Sequence, residues 1–182
     1  MIPPTRSNVT KDKIVDAAMA IVREQGVAKL TLDAAAKVAQ VSKGGVLYHF
    51  KSKDDLIRAM VSRLIESCDA LHMEHYEREP EGPYRWARTV VHTTFDPRGP
   101  SDDPINSALL AAVSVNPELL APIHAKFAEW IERVRSDSPD PARAALICMA
   151  MDGYIFERML KLPICDQEAC ESIKQAALDL LK

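Results

Sequence analysis

Apolar residues recur along this chain with the period of an α-helix, and no segment alternates as a half-buried strand would. Ile14, Ala17, Ala18, Ile21 and Val22 fall at i, i+3, i+4, i+7 and i+8, one stripe down a helical face. The punctuation agrees: twelve prolines against six glycines leave little hairpin chemistry, and the prolines gather where helical patterns break. An all-α fold of about nine helices is expected for the 182 residues.

Local signals place the first four helices. Thr10 is positioned to cap a helix that Gly26 stops in the C′ position. Thr31 caps a short alanine-rich helix over 32–39, and Ser42 caps about two turns ending near Phe50. Ser52 and Asp55 form an S-x-x-D capping box that opens a long helix through Leu56, Met60, Leu64, Cys68 and Leu71 towards Glu79. Pro80-Glu81-Gly82-Pro83 is the clearest break in the chain. Helical patterns follow over 84–95, 104–114, 117–136, 140–161 and 166–181, punctuated by Pro97, Gly99, Pro100 and Pro104, then Pro139 and Pro141, then Pro163.

Charge divides the chain unevenly. Residues 1–60 carry ten basic and six acidic side chains, whereas residues 61–182 carry thirteen and twenty. A basic head on an acidic body points to a polyanionic partner for the head alone. No stretch approaches the roughly 20 apolar residues of a membrane span, and the first eight residues lack a secretory core, so a cytoplasmic protein without membrane contact is expected.

The four cysteines, Cys68, Cys148, Cys165 and Cys170, form no C-x-x-C pair or zinc spacing and read as reduced thiols, with a redox pair of Cys165 and Cys170 as the alternative. His72 and His75, at i and i+3, have no identifiable third ligand and read as a solvated helix end, so no metal or cofactor is expected. None of the five histidines sits in a catalytic run, and Gly44-Gly45 lacks the lysine-tailed spacing of a phosphate loop, which argues against an enzyme.

Residues 144–156 are apolar nearly all round, with Asp152 the one charge. A helix without a polar face needs cover on both sides, from a partner subunit or from its own domain.

Residues 31–50 have the shape of a helix-turn-helix, whose second helix enters the major groove of DNA. Ser42 and the backbone amides of Lys43, Gly44 and Gly45 stand at a helix start as a donor set, and the glycines let the backbone approach closely. Tyr48 and His49 offer flat donors to phosphates, and Lys53 brings charge at the next helix. Two glycines in so short a helix cost about 1 kcal/mol each against alanine, which a purely structural helix has little reason to accept. On spacing alone a helical protein-interaction module without DNA activity stays open; it would bind random duplexes no better than an acidic control, even at low salt.

The strings LTLDAAAKVA (30–39) and VSKGGVLYHFKSKDDL (41–56) resemble the TetR-type transcriptional regulators, over roughly residues 10–56. Carried over residue by residue, the resemblance implies phosphate contacts at Thr31, Tyr48, His49 and Lys53. It implies a close approach to DNA at Ser42, Lys43 and Gly44, and a structural aromatic at Phe50. Gly45 and Leu47 depart from the commonest pattern at two further DNA-facing positions.

The resemblance also implies a DNA-binding domain over 1–55 and an effector-binding, dimerisation domain over 56–182. The protein is then a homodimeric, ligand-released repressor on a pseudo-palindromic operator, with a small organic effector. Candidate pocket residues are Trp86, Val90, Leu110, Phe127 and Met149. Asp152 needs a partner: a cationic ligand, Arg143, Arg158 or a helix N-terminus. Met151 and Ile155 are the candidate interface residues.

Overall fold

The computed structural model describes residues 6–99, 103–163 and 166–182; Pro100 and Cys165 lie outside them. The described residues hold nine α-helices and no strand: α1 (Arg6–Gln25), α2 (Leu32–Ala39), α3 (Lys43–His49), α4 (Lys53–Arg78), α5 (Arg85–Thr94), α6 (Pro104–Val115), α7 (Ala121–Asp137), α8 (Pro141–Met159) and α9 (Gln167–Asp179). Short 3-10 turns at Val27–Lys29 and Pro117–Leu120 complete the set. The first helix begins upstream of Thr10, so that residue lies inside α1 rather than capping it.

Three hydroxyls start three helices, because each satisfies an amide that the first turn leaves without a carbonyl. Thr31 accepts from the Ala34 amide, Ser42 from that of Gly45 and Ser52 from that of Asp55, all at 3.0 Å. The Asp55 carboxylate reaches back to the Lys51 amide at 3.2 Å, one residue earlier than the reciprocal bond of a capping box.

The chain divides into two units. The first comprises Met1–Leu64 with Pro104–Ile123. Its stripe Ile14, Ala17, Ala18, Ile21 and Val22 is buried, as are Leu30, Ala35, Val46, Phe50, Leu56 and Met60. Helix α1 packs against α2, α3 and α6. An amide of Asn116 donates to the Asp54 carboxylate at 2.8 Å, joining the segment after α6 to the start of α4.

The second unit comprises Ile65–Asp103 with His124–Lys182. Here α5 packs against α8 and α9, around a core of Tyr84, Trp86, Val91, Val134, Ile147, Met151 and Leu181. Helix α5 carries three buried threonines, and each hydroxyl donates to the carbonyl four residues back, so burial leaves no polar atom of theirs unserved. Asp137 at the end of α7 accepts from the Trp86 amide at 2.6 Å and so caps α5 from another helix.

Candidate nucleic-acid interface

The short helices α2 and α3 meet at Gln40, whose backbone is left-handed at φ 56°. Its amide serves the carbonyls of Ala36 and Lys37, and the Val41 amide returns to Ala36 at 3.0 Å. This closes α2 without the glycine usual at such a position. Val46 and Phe50 point into the core of the unit, which fixes the roll of α3 and turns the intervening side chains outward.

On that outward surface stand Thr31, Ser42, Lys43, Gly44, Leu47 and Tyr48, with Gly45 and His49 half-buried behind them. Tyr48 is 72% exposed and meets His49 edge to face, with centroids 4.9 Å apart. A Cβ at Gly45 would sit 3.3 Å from the Ser42 hydroxyl, which is tight against the cap; at Gly44 the nearest atom is an ordinary 3.9 Å away. Only Gly45 therefore has a packing reason to lack a side chain.

The cations are engaged with this same unit. Lys43 pairs with Asp33 at 3.0 Å across exposed surface, a weak contact in water. Lys53 donates to the Val27 carbonyl at 2.7 Å, so it ties the start of α4 to the loop after α1. Lys51, which the sequence did not single out, donates to the Leu47 carbonyl at 2.6 Å and closes the last turn of α3.

The expected pocket residues are divided between the two units. Trp86 is 1% exposed in the core, Val90 is packed beside it, and Phe127 is exposed on α7. Leu110 belongs to α6 in the first unit, and Met149 is 62% exposed on α8. Asp152 is also exposed, yet apolar crowding raises its carboxyl above the usual carboxylate range. Arg143, one expected partner of Asp152, pairs with Asp140. A groove of about 330 Å³ opens elsewhere, lined by Phe95, Tyr154, Arg158, Cys170, Glu171 and Lys174 among others.

Three expectations are corrected. Met151 is 3% exposed and faces its own core with Ala144 and Ile147, because that stripe of α8 meets α5; Ile155 is half-buried beside it. The outward stripe is Leu146, Met149, Phe156 and Leu160, and Ile173 and Leu180 of α9 are exposed as well. His72 is no solvated helix end, since it lies buried between Trp86 and Trp130, with ring centroids 5.6 and 4.9 Å away. His75 instead bonds Asp96 at 2.9 Å. Cys170 is disulfide-bonded rather than a reduced thiol. Cys68 and Cys148 are free, and burial pushes both thiols up to about 12, which makes them inert.

Trp130 and Arg133 went unnoticed in the sequence. Trp130 stands three residues after Phe127 and packs on it at 5.4 Å, an aromatic i, i+3 pair that the α7 pattern did contain. No described helix is long and apolar enough to cross a membrane.

Two family models match the chain. One, described as bacterial regulatory proteins of the tetR family, covers residues 14–60; the other, a tetracyclin repressor-like C-terminal domain, covers 84–182. The regulator AcrR of Shigella flexneri is 29% identical over 82 residues, 45% of this chain and 38% of its own. The probable regulator ArpR of Pseudomonas putida is 36% identical over 87 residues, 48% of this chain and 41% of its own. The chain thus spans about two fifths of the length of these curated relatives. Among solved structures, a TetR-family member from Streptomyces coelicolor A3 superposes with a TM-score of 0.70 at 23% identity, covering 95% of this chain and 98% of that one. The multidrug binding protein EbrR complexed with ethidium gives 0.67 at 23% identity, covering 95% and 99%.

Proposed function

Because the chain belongs to the TetR family of bacterial regulatory proteins, we propose that it is a cytoplasmic, ligand-released repressor that binds a pseudo-palindromic operator as a homodimer. The observation that carries the DNA half is the outward surface of α2 and α3: Thr31, Ser42, Lys43, Leu47 and Tyr48 are exposed together on a unit whose core holds both helices rigidly. Thr31, Tyr48, His49 and Lys53 then serve phosphates and position the head, while Ser42, Lys43, Gly44, Gly45 and Leu47 approach the base edges.

The dimer half is supported by α8 and α9. Leu146, Met149, Phe156 and Leu160 form an apolar stripe that the chain itself leaves uncovered, continued by Ile173 and Leu180. A second copy presenting the same stripe covers it by two-fold symmetry, as a four-helix bundle. Two-fold symmetry in the protein requires it in the operator. The effector acts by binding the two head spacings with different affinity. The likeness of the body to a multidrug binding protein supports a small organic effector. The family's role as regulators supports a binding function in place of catalysis.

Selection from random duplexes tests the reading: a two-fold symmetric consensus protected by two heads is the expected result. A non-symmetric site, or none, would overturn it.

A further inference from the structure

A ligand-sensing body needs an effector of definite chemistry. We propose that the effector of this chain is an aromatic anion, whose oxygen is received by the Trp86 indole N–H and the Arg133 guanidinium; this rests on the ligand-released reading above.

Trp86 is almost wholly buried, and its Nε1 is the one buried side-chain nitrogen or oxygen among the described residues without a hydrogen-bond partner. Buried donors are ordinarily served, so an orphan asks for an acceptor that arrives from outside. The second tryptophan of the cluster shows the contrast: the Trp130 indole donates to the Asp69 carboxylate at 2.8 Å.

Arg133 makes the independent case. Its guanidinium lies 4.6 Å above the Trp86 ring centroid, half-buried. Its hydrogen bond goes to the Met73 thioether at 2.9 Å, a weak acceptor; among the described residues no carboxylate forms a salt bridge with it, and Asp69 only feels its charge from a distance. Asp69, the acidic group on this side, is already taken by Trp130 and by Lys126 at 3.2 Å. Two underused donors therefore converge on one indole, a setting for an anionic oxygen.

Aromatic side chains surround the indole. His72 and Tyr76 stand 5.6 and 5.7 Å from Trp86, and Trp130 links His72 to the exposed Phe127. This is a run of rings from the surface to the orphan donor, with the spacings at which aromatic faces and edges pack. Burial keeps His72 neutral at pH 7, so the charge offered to the ligand is that of Arg133. An aromatic cation entering here would meet Arg133 and find the carboxylate occupied.

The test uses the full chain labelled with nitrogen-15 at tryptophan, whose two indole signals belong to Trp86 and Trp130. Naphthoate and benzoate are titrated beside naphthamide, which is neutral, and naphthylmethylammonium, which is cationic. A carboxylate should move the Trp86 signal downfield and saturably. Trp86→Phe should then weaken binding about ten- to hundredfold, the span of a hydrogen bond to a charged acceptor. Arg133→Met should abolish the preference for carboxylate over amide, and serves alone if the tryptophan variant fails to fold.

Tighter binding of the cation, or a Trp86 signal that no carboxylate moves up to the solubility limit, overturns the proposal and leaves the N–H to a buried water. Release from the selected operator is followed in parallel. A carboxylate that shifts Trp86 without releasing DNA upholds the site and overturns ligand release. A compound that releases DNA without moving Trp86 upholds ligand release and overturns this site.

Discussion

Lowering the pH from 7 to 5 is expected to cost this chain about 2 kcal/mol of stability through His72 alone. The imidazole is 7% exposed between two tryptophans, and burial holds its pKa down to about 4, against about 6.5 in an unfolded chain. In that interval the unfolded chain takes up a proton that the folded chain refuses, so stability is full above the unfolded value and falls as pH falls through it. The loss grows at about 1.4 kcal/mol per pH unit, reaching roughly 2 at pH 5 and roughly 3 at pH 4.

Comparison with a His72 variant over the window from 7 to 5 isolates the effect. Asp69, Glu74 and Asp96 are all held below the usual carboxylate range, so their contributions are lost only at lower pH. Burial also pushes His92 down, which adds a loss of the same sign. Urea unfolding followed by circular dichroism at both pH values, for the wild type and for His72→Gln, gives the difference directly. The amide cannot charge, so the variant should lose about 2 kcal/mol less between the two pH values. Equal losses would refute the reasoning and return His72 to the solvated position that its i, i+3 pairing with His75 first suggested.

Tyr48→Phe should weaken operator binding about tenfold on every sequence and leave the selected consensus unchanged, because a phosphate contact positions without specifying. Lys53→Ala should lower the salt slope of binding by about one unit. It should also cost about 1 kcal/mol of stability, since Lys53 holds the Val27 carbonyl; binding against salt and thermal melting report the two. Met149→Glu should give folded monomers in sedimentation, whereas Met151→Glu should lose several kcal/mol by burying a charge in its own core. A folded dimer carrying Met149→Glu would put the outward stripe of α8 outside the interface. Gln40→Gly should raise stability by up to about 1 kcal/mol, relieving the left-handed backbone at φ 56° against the added freedom of the unfolded chain; a lower melting temperature would show that the Gln40 side chain holds the turn.

The starts of α2, α3 and α4 were legible because the forces that set them are local, whereas α1 begins upstream of the expected cap at Thr10. The bonds from Thr31 to Ala34, Ser42 to Gly45 and Ser52 to Asp55 each span three residues, and hydroxyl spacing alone reveals them. The outward residues of α3 were legible too, since Val46 and Phe50 mark its buried side. Helix α8 was not: with apolar residues all round, periodicity carries no phase, and only packing on α5 decided that Met151 turns in and Met149 out. The same holds for contacts between distant residues. Asp137 capping α5, Trp130 meeting Asp69 and Lys53 reaching Val27 join residues 51, 61 and 26 positions apart. Nothing in a local pattern encodes such pairings, so tertiary structure alone placed Trp86 in the core with an orphan donor and grouped α6 with α1.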